Sequence, residues 1–141
     1  MMERQTFLTA TQAAGKAFYM RQIQGPITML NLLRYREIAD YSQHQDLAPS
    51  KPVSGQAAYQ AYMDHTLPFL NEIGSEVLFF GKGGAWLIGP TSEQWDAVLL
   101  VKHPSAAEFL AFAQNKAYLK GAGHRTAALL DSRLLPIEEQ P

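Results

Sequence analysis

The chain has no cysteine, which excludes disulfides and thiolate chemistry and fits a reducing compartment. It has almost no charge imbalance: 12 Lys and Arg stand against 13 Asp and Glu, for a net charge of −1. The basic residues are scattered and form no stripe, so a nucleic-acid partner is not expected. No apolar run approaches the ~20 residues that span a bilayer. The opening MMERQTFLTATQAAGKAFYM lacks the continuous apolar core of a secretory leader. A soluble, cytoplasmic protein with no membrane partner is the expectation. Repeats and low-complexity tracts are missing too. The four histidines, His44, His65, His103 and His124, show neither H-x-x-x-H nor H-E-x-x-H spacing, so neither a metal site nor a cofactor is expected. No Ser-His-Asp order and no paired carboxylates can be assembled.

What is present is 141 residues, 47% of them apolar, enough for one domain with a sizeable core. Thr9 to about Gln22 has helical composition, weakened by Gly15. After Gly25-Pro26, ITMLNLLRYR (27–36) reads as a strand, and 37–54 as a long loop with Pro49 and Pro52. From Gly55 the period changes. Tyr59, Tyr62, Met63, Thr66, Phe69, Leu70 and Ile73 recur at helical spacing, Pro68 predicts a kink, and Gly74 is a natural stop. SEVLFFGKGGAWLIGP (75–90) is strand-like, either one strand with a bulge or a small hairpin. WDAVLLVKH (95–103) is a strand, Ser105-Ala-Ala-Glu108 opens a helix with a capping box, a turn spans Asn115 to Arg125, and ALLDSRLLPI (128–137) closes as a strand.

This order predicts a ferredoxin-like α+β fold, an antiparallel sheet with helices on one face and an extra N-terminal helix. Residues 1–24 are read as a helical extension, 25–137 as the domain and 138–141 as a solvated tail. The strands are apolar on both faces: Met29 and Leu33 oppose Leu30 and Leu32, while Trp95, Ala97, Leu99 and Val101 oppose Val98 and Leu100. Helices cover one face; the other needs a cover, and a second copy is expected to supply it in a homodimer packed sheet to sheet.

Four stretches, MLNLLRYREIADYS (29–42), APSKPVSGQAAYQAY (48–62), WDAVLLVKHPSAAEF (95–109) and HRTAALLDSRLLP (124–136), resemble domain-of-unknown-function family 1330 of the dimeric α/β-barrel superfamily. The resemblance covers roughly 25–137 and implies a ferredoxin-like fold and a dimer, but no reaction. Its distant relatives include cofactor-independent monooxygenases, lactone isomerases, stress-response proteins and haem enzymes. Where a Tyr-Pro-Ser junction is expected, this chain has His103-Pro104-Ser105, so no role for that phenol carries over.

Candidate chemistry gathers in a pocket for a small apolar or aromatic molecule. Gly121-Ala-Gly123-His124 lacks the third glycine and preceding strand of a dinucleotide loop and the spacing of a P-loop. Arg125 is either an anion anchor or an ion-pair partner of Asp131 or of a glutamate. His65 and His124 are the candidate proton movers, against a reading as satisfied structural histidines. Asn31, unexpected in a strand, either bonds to backbone or polarises a carbonyl. Arg34, Tyr62, Trp95, His103 and Tyr118 complete the candidate binding residues. Two functions stand side by side: cofactor-independent oxygenase or isomerase chemistry, and a non-catalytic ligand-binding or stress-related dimer. Haem held by His103 or His124 comes third.

Overall fold

In the computed structural model, residues 5–140 are described. Residues 1–4 and Pro141, parts of the expected extension and tail, lie outside the described residues. Four antiparallel strands, β1 (Ile27–Tyr35), β2 (Glu76–Ala85), β3 (Gln94–His103) and β4 (Leu129–Ile137), form one sheet in the order β2-β3-β1-β4. The residues 75–90 contribute a single strand with a register shift between Val77 and Phe79 rather than a separate hairpin.

Alternation along β1 and β3 sorts side chains between two faces. Ile27, Met29 and Leu33 are buried on one face of β1, and Ala97, Leu99, Val101 and His103 stand opposite them on β3. Helices α1 (Gln12–Met20), α2 (Gly55–Glu72) and α3 (Ala106–Ala113) contribute to this same face. Each begins where a short polar side chain satisfies an otherwise unpaired N–H. Thr11 Oγ1 accepts from Ala14 N at 3.0 Å, Ser54 Oγ from Ala57 N at 3.0 Å, and Ser105 Oγ from Glu108 N at 3.1 Å. α2 buries Ala58, Tyr59, Tyr62, Met63, Thr66 and Leu70, the stripe its spacing predicts. Pro68 lies inside that helix on its exposed side, where water can satisfy the carbonyl that loses its donor.

The stretch 115–128 departs from expectation. In place of a turn, two short helices form, α4 (Lys116–Leu119) and α5 (Gly123–Ala128), and β4 starts at Leu129. Asn115 Oδ1 caps α4 by accepting from Ala117 N (2.9 Å) and Tyr118 N (3.1 Å). α5 packs on α2 through Ala127 and Ala128, both fully buried. The 37–54 segment is also held: Asp40 N donates to Ala127 O at 2.8 Å, Ile38 bridges Ser54, and a short 3-10 turn spans Gln45–Leu47.

The other sheet face carries an apolar band, with Arg133 paired beside Leu32 and Asp131 beside Arg34 toward one end. Register places Leu30 beside Leu100 and Leu135, and Leu32 beside Val98, with Phe79 next to Leu100. Phe79 and Leu135 are 56% and 55% exposed. Among the described residues, no helix of the chain crosses this face, and none is long and apolar enough to span a membrane.

Candidate functional site

Between the covered sheet face and the helices lies a cavity of about 900 Å³. Met29, Asn31, Leu99 and Val101 form its floor, and Tyr59, Tyr62, Met63 and Thr66 of α2 its roof. Phe109, Phe112 and Tyr118 close one side, while the N-terminal strap, from Phe7 through α1, lies across the opening. No residue of α1 is fully buried. The strap is held by polar ties: Phe7 N donates to Asp131 Oδ1 (2.8 Å), Ser132 Oγ to Phe7 O (2.6 Å), Arg125 Nη1 to Leu8 O (2.6 Å), and Arg21 Nη1 to Pro136 O (3.1 Å). Arg21 also pairs with Glu138 at 3.1 Å on the surface, and residues 138–140 are exposed.

A few polar groups interrupt these apolar walls. Asn31 Nδ2 donates to Leu99 O at 3.2 Å and to Met29 O at 3.4 Å. The amide nitrogen is thereby spent on backbone, as the first reading has it; the oxygen that remains is an acceptor and cannot polarise a substrate carbonyl, though it can receive a donor. The Tyr62 and Tyr118 hydroxyls share a 2.7 Å hydrogen bond. Burial pushes the Tyr118 and Tyr59 phenols up, so both stay neutral. His103 is buried with Nδ1 2.7 Å from Ser75 Oγ, and its ring meets Phe109 edge-on at 5.0 Å. Burial lowers its pKa to about 4, so the imidazole is neutral at pH 7. Thr66 Oγ1 is buried with no hydrogen-bond partner among the described residues.

Arg125 and Asp131 do not form the expected ion pair. Arg125 on α5 is turned to Leu8 O and to Ser132 Oγ (3.2 Å), whereas Asp131 Oδ1 is 2.7 Å from Arg133 Nη1. Arg133 in turn lies over the Phe7 and Trp95 rings, 4.8 and 4.9 Å from their centroids.

Of the residues singled out in the sequence, Asn31, Tyr62, His103, Tyr118 and Arg125 share the cavity wall. His65, His124, Arg34 and Trp95 stand outside it. His65 Nε2 is 3.1 and 3.0 Å from the carbonyls of Ala117 and Tyr118, which ties α2 to α4. His124 Nδ1 is 2.7 Å from the Tyr41 hydroxyl, which ties α5 to the 37–54 segment. Arg34 lies half-buried on the uncovered face, and Trp95 is buried beneath Arg133. Thr66, Ser132 and the strap were not singled out as polar site residues. A threonine in an apolar helical stripe was the available sign for the first, whereas nothing local marks contacts that join Phe7 to Ser132. Among the described residues, no three His, Asp or Glu side chains group as a metal site.

Sheet order, helix placement and the strapped cavity define a ferredoxin-like α+β protein with an internal pocket. No protein-family profile matches the chain, and no curated protein matches it. It is similar to RPA0582, a protein of unknown function from Rhodopseudomonas palustris, with 31% identity, 97% of this chain and 99% of that chain covered, and a TM-score of 0.85. A methylated form of RPA0582 gives 32% identity, 96% coverage of both chains and the same TM-score of 0.85. A dimeric ferredoxin-like protein of unknown function from Jannaschia is 13% identical over 82% of this chain and 100% of that chain, with a TM-score of 0.54, a likeness of fold alone. The chain belongs to the family of RPA0582.

Proposed function

We propose that this protein is a cytoplasmic homodimer that holds one small, largely apolar molecule per subunit, and that it is a member of domain-of-unknown-function family 1330. In this reading residues 25–137 are the barrel-type domain, 1–24 the extension, which from Phe7 onward straps the pocket, and 138–141 the tail. Thr66 carries the ligand claim: a buried hydroxyl without a partner costs about 1–3 kcal/mol unless something bonds to it, and the residue that bears this one lines a cavity of about 900 Å³, so a side-chain rotation would present it there. That volume lies in the range of small-molecule sites. Apolar residues paired in register across β3, β1 and β4 support the dimer, as does the dimeric state of the Jannaschia protein.

Binding fits the pocket better than turnover. His103 is the histidine on its wall, and an imidazole with a pKa near 4 is a weak base at pH 7. Isomerase or oxygenase chemistry without a cofactor is the second reading, favoured by the placement of that one ring beside the cavity, with Nε2 as the proton acceptor. Titration with N-phenyl-1-naphthylamine, a neutral apolar fluorophore, tests the pocket. Saturation at one dye per chain, lost when Leu134→Trp fills the cavity, is expected. Fluorescence that rises without saturating contradicts the reading.

A further inference from the structure

We infer that the pocket takes an organic monocarboxylate with an apolar body, its carboxylate anchored on Arg125. The inference rests on the pocket reading above and adds the chemistry of the ligand.

The charges on the cavity wall do not balance. Four side chains there can carry a positive charge: Arg21, Arg125, Arg133 and His103. Arg21 is paired with Glu138 at 3.1 Å. Arg133 is neutralised by Asp131 at 2.7 Å. His103 is uncharged because burial opposes its protonation. Arg125 has no carboxylate partner among the described residues; it donates to the neutral oxygens of Leu8 and Ser132. Asp131 does not serve it, since the same carboxylate oxygen already receives Phe7 N, Ser132 N and Arg133 Nη1. One guanidinium is therefore left at the edge of a largely apolar space without an anion, an arrangement that an incoming anion relieves.

The geometry specifies the anion further. A guanidinium has five N–H donors in a planar fork, of which one on Nη1 and one on Nη2 are engaged by the protein. The free donors suit the two oxygens of a carboxylate. A single cation beside neutral phenols matches one negative charge and leaves half of a phosphate dianion unmatched. Arg125 acts on the Tyr59 and Tyr118 phenols, where its charge opposes the effect of burial. It thus lies near the aromatic wall that Tyr118 continues to Phe112, with ring centroids 4.3 Å apart, and on to His103, 6.2 Å from Phe112. The register sets the span: Ser132, which Arg125 touches, pairs with Leu33, while His103 pairs with Ile27, six residues away along β1, a separation of ~20 Å at strand rise. An apolar body running from Arg125 toward Phe109 and His103 fills that length.

Displacement of N-phenyl-1-naphthylamine tests this with two matched pairs, decanoate against decan-1-ol and 2-naphthoate against 2-naphthol, at pH 7.5. An apolar pocket without a usable cation favours the alcohol, because burying a carboxylate is costly. The expected result is the reverse in at least one pair, with the acid displacing dye at a concentration at least tenfold lower. Arg125→Gln restores the preference for the alcohol, and Arg125→Lys keeps a weaker preference for the acid; dye uptake by each variant shows that its pocket is intact. Wild-type protein that binds dye at one per chain but prefers the alcohol in both pairs overturns the inference and leaves the pocket reading standing. Retention of the full acid preference by both variants overturns it as well. Failure of the dye to bind wild type overturns the pocket reading and this inference with it.

Discussion

Ser75 Oγ and His103 Nδ1 lie 2.7 Å apart, both buried, where the start of β2 meets the end of β3. The hydrogen bond fixes the ring in the cavity wall while burial lowers its pKa from 6.5 to about 4. A histidine with a depressed folded-state pKa takes up its proton more readily in the unfolded chain. Above pH 6.5 the ring is neutral in both states and contributes no pH dependence. Stability then falls between pH 6.5 and about 4, by about 3 kcal/mol across the full gap. Urea unfolding of wild type and His103→Phe over this range measures the difference. The variant is expected to lose that share of the acid slope, and identical slopes contradict the assignment.

Two glycines predict opposite outcomes. A Cβ on Gly55 would strike the backbone oxygens of Arg36 and Ala128, where β1, α2 and α5 meet. Backbone cannot step aside as a side chain can, so Gly55→Ala is expected to lose at least about 2 kcal/mol. Gly15, inside α1, has nothing within 4 Å of such an atom. Gly15→Ala is therefore expected to gain about 0.5–1 kcal/mol through reduced chain entropy. Thermal melts of both variants settle the ordering.

Thr66→Val removes the unpartnered hydroxyl while keeping the side-chain shape. With no hydrogen bond lost in the free protein, the melting temperature should hold or rise. A substantial fall, equivalent to 1 kcal/mol or more, would mean that the hydroxyl has a protein partner and that its link to a ligand is mistaken.

Alternation along 29–33 and 97–101, the helical stripe from Tyr59 to Leu70 and the Ser105 cap are local patterns, and each appears where it was expected. Gly121-Ala-Gly123 reads as a turn because glycine breaks helices in isolation. In the fold, Gly121 lies against the His65 ring and Gly123 against His44, and burial of Ala127 and Ala128 on α2 outweighs the weak helix propensity. His65 and His124 looked like proton movers because sequence shows a side chain but not its partner; both partners lie on segments more than 50 residues away. Arg125 was drawn toward Asp131 by proximity in sequence. The contacts of Arg125 and Ser132 with Leu8 and Phe7 join residues 117 and 125 apart and leave no local trace.

The uncovered sheet face yields an assembly prediction. Leu135 is 55% exposed and is paired in register with Leu30. A Glu there places a charge at the centre of the proposed interface, where removal from water is costly. Light scattering at micromolar concentration should give twice the chain mass for wild type and close to one chain mass for Leu135→Glu. A monomeric wild type contradicts the dimer.

The most direct measurement concerns the cavity. Met29 on its floor and Met63 on its roof both line it, whereas Met20 is 63% exposed on α1. In protein carrying ¹³C-methyl methionine, addition of N-phenyl-1-naphthylamine should shift the Met29 and Met63 resonances together and saturate at one dye per chain. Shifts confined to Met20, or no shift at any methionine while dye fluorescence rises, would place the molecule outside and contradict the account.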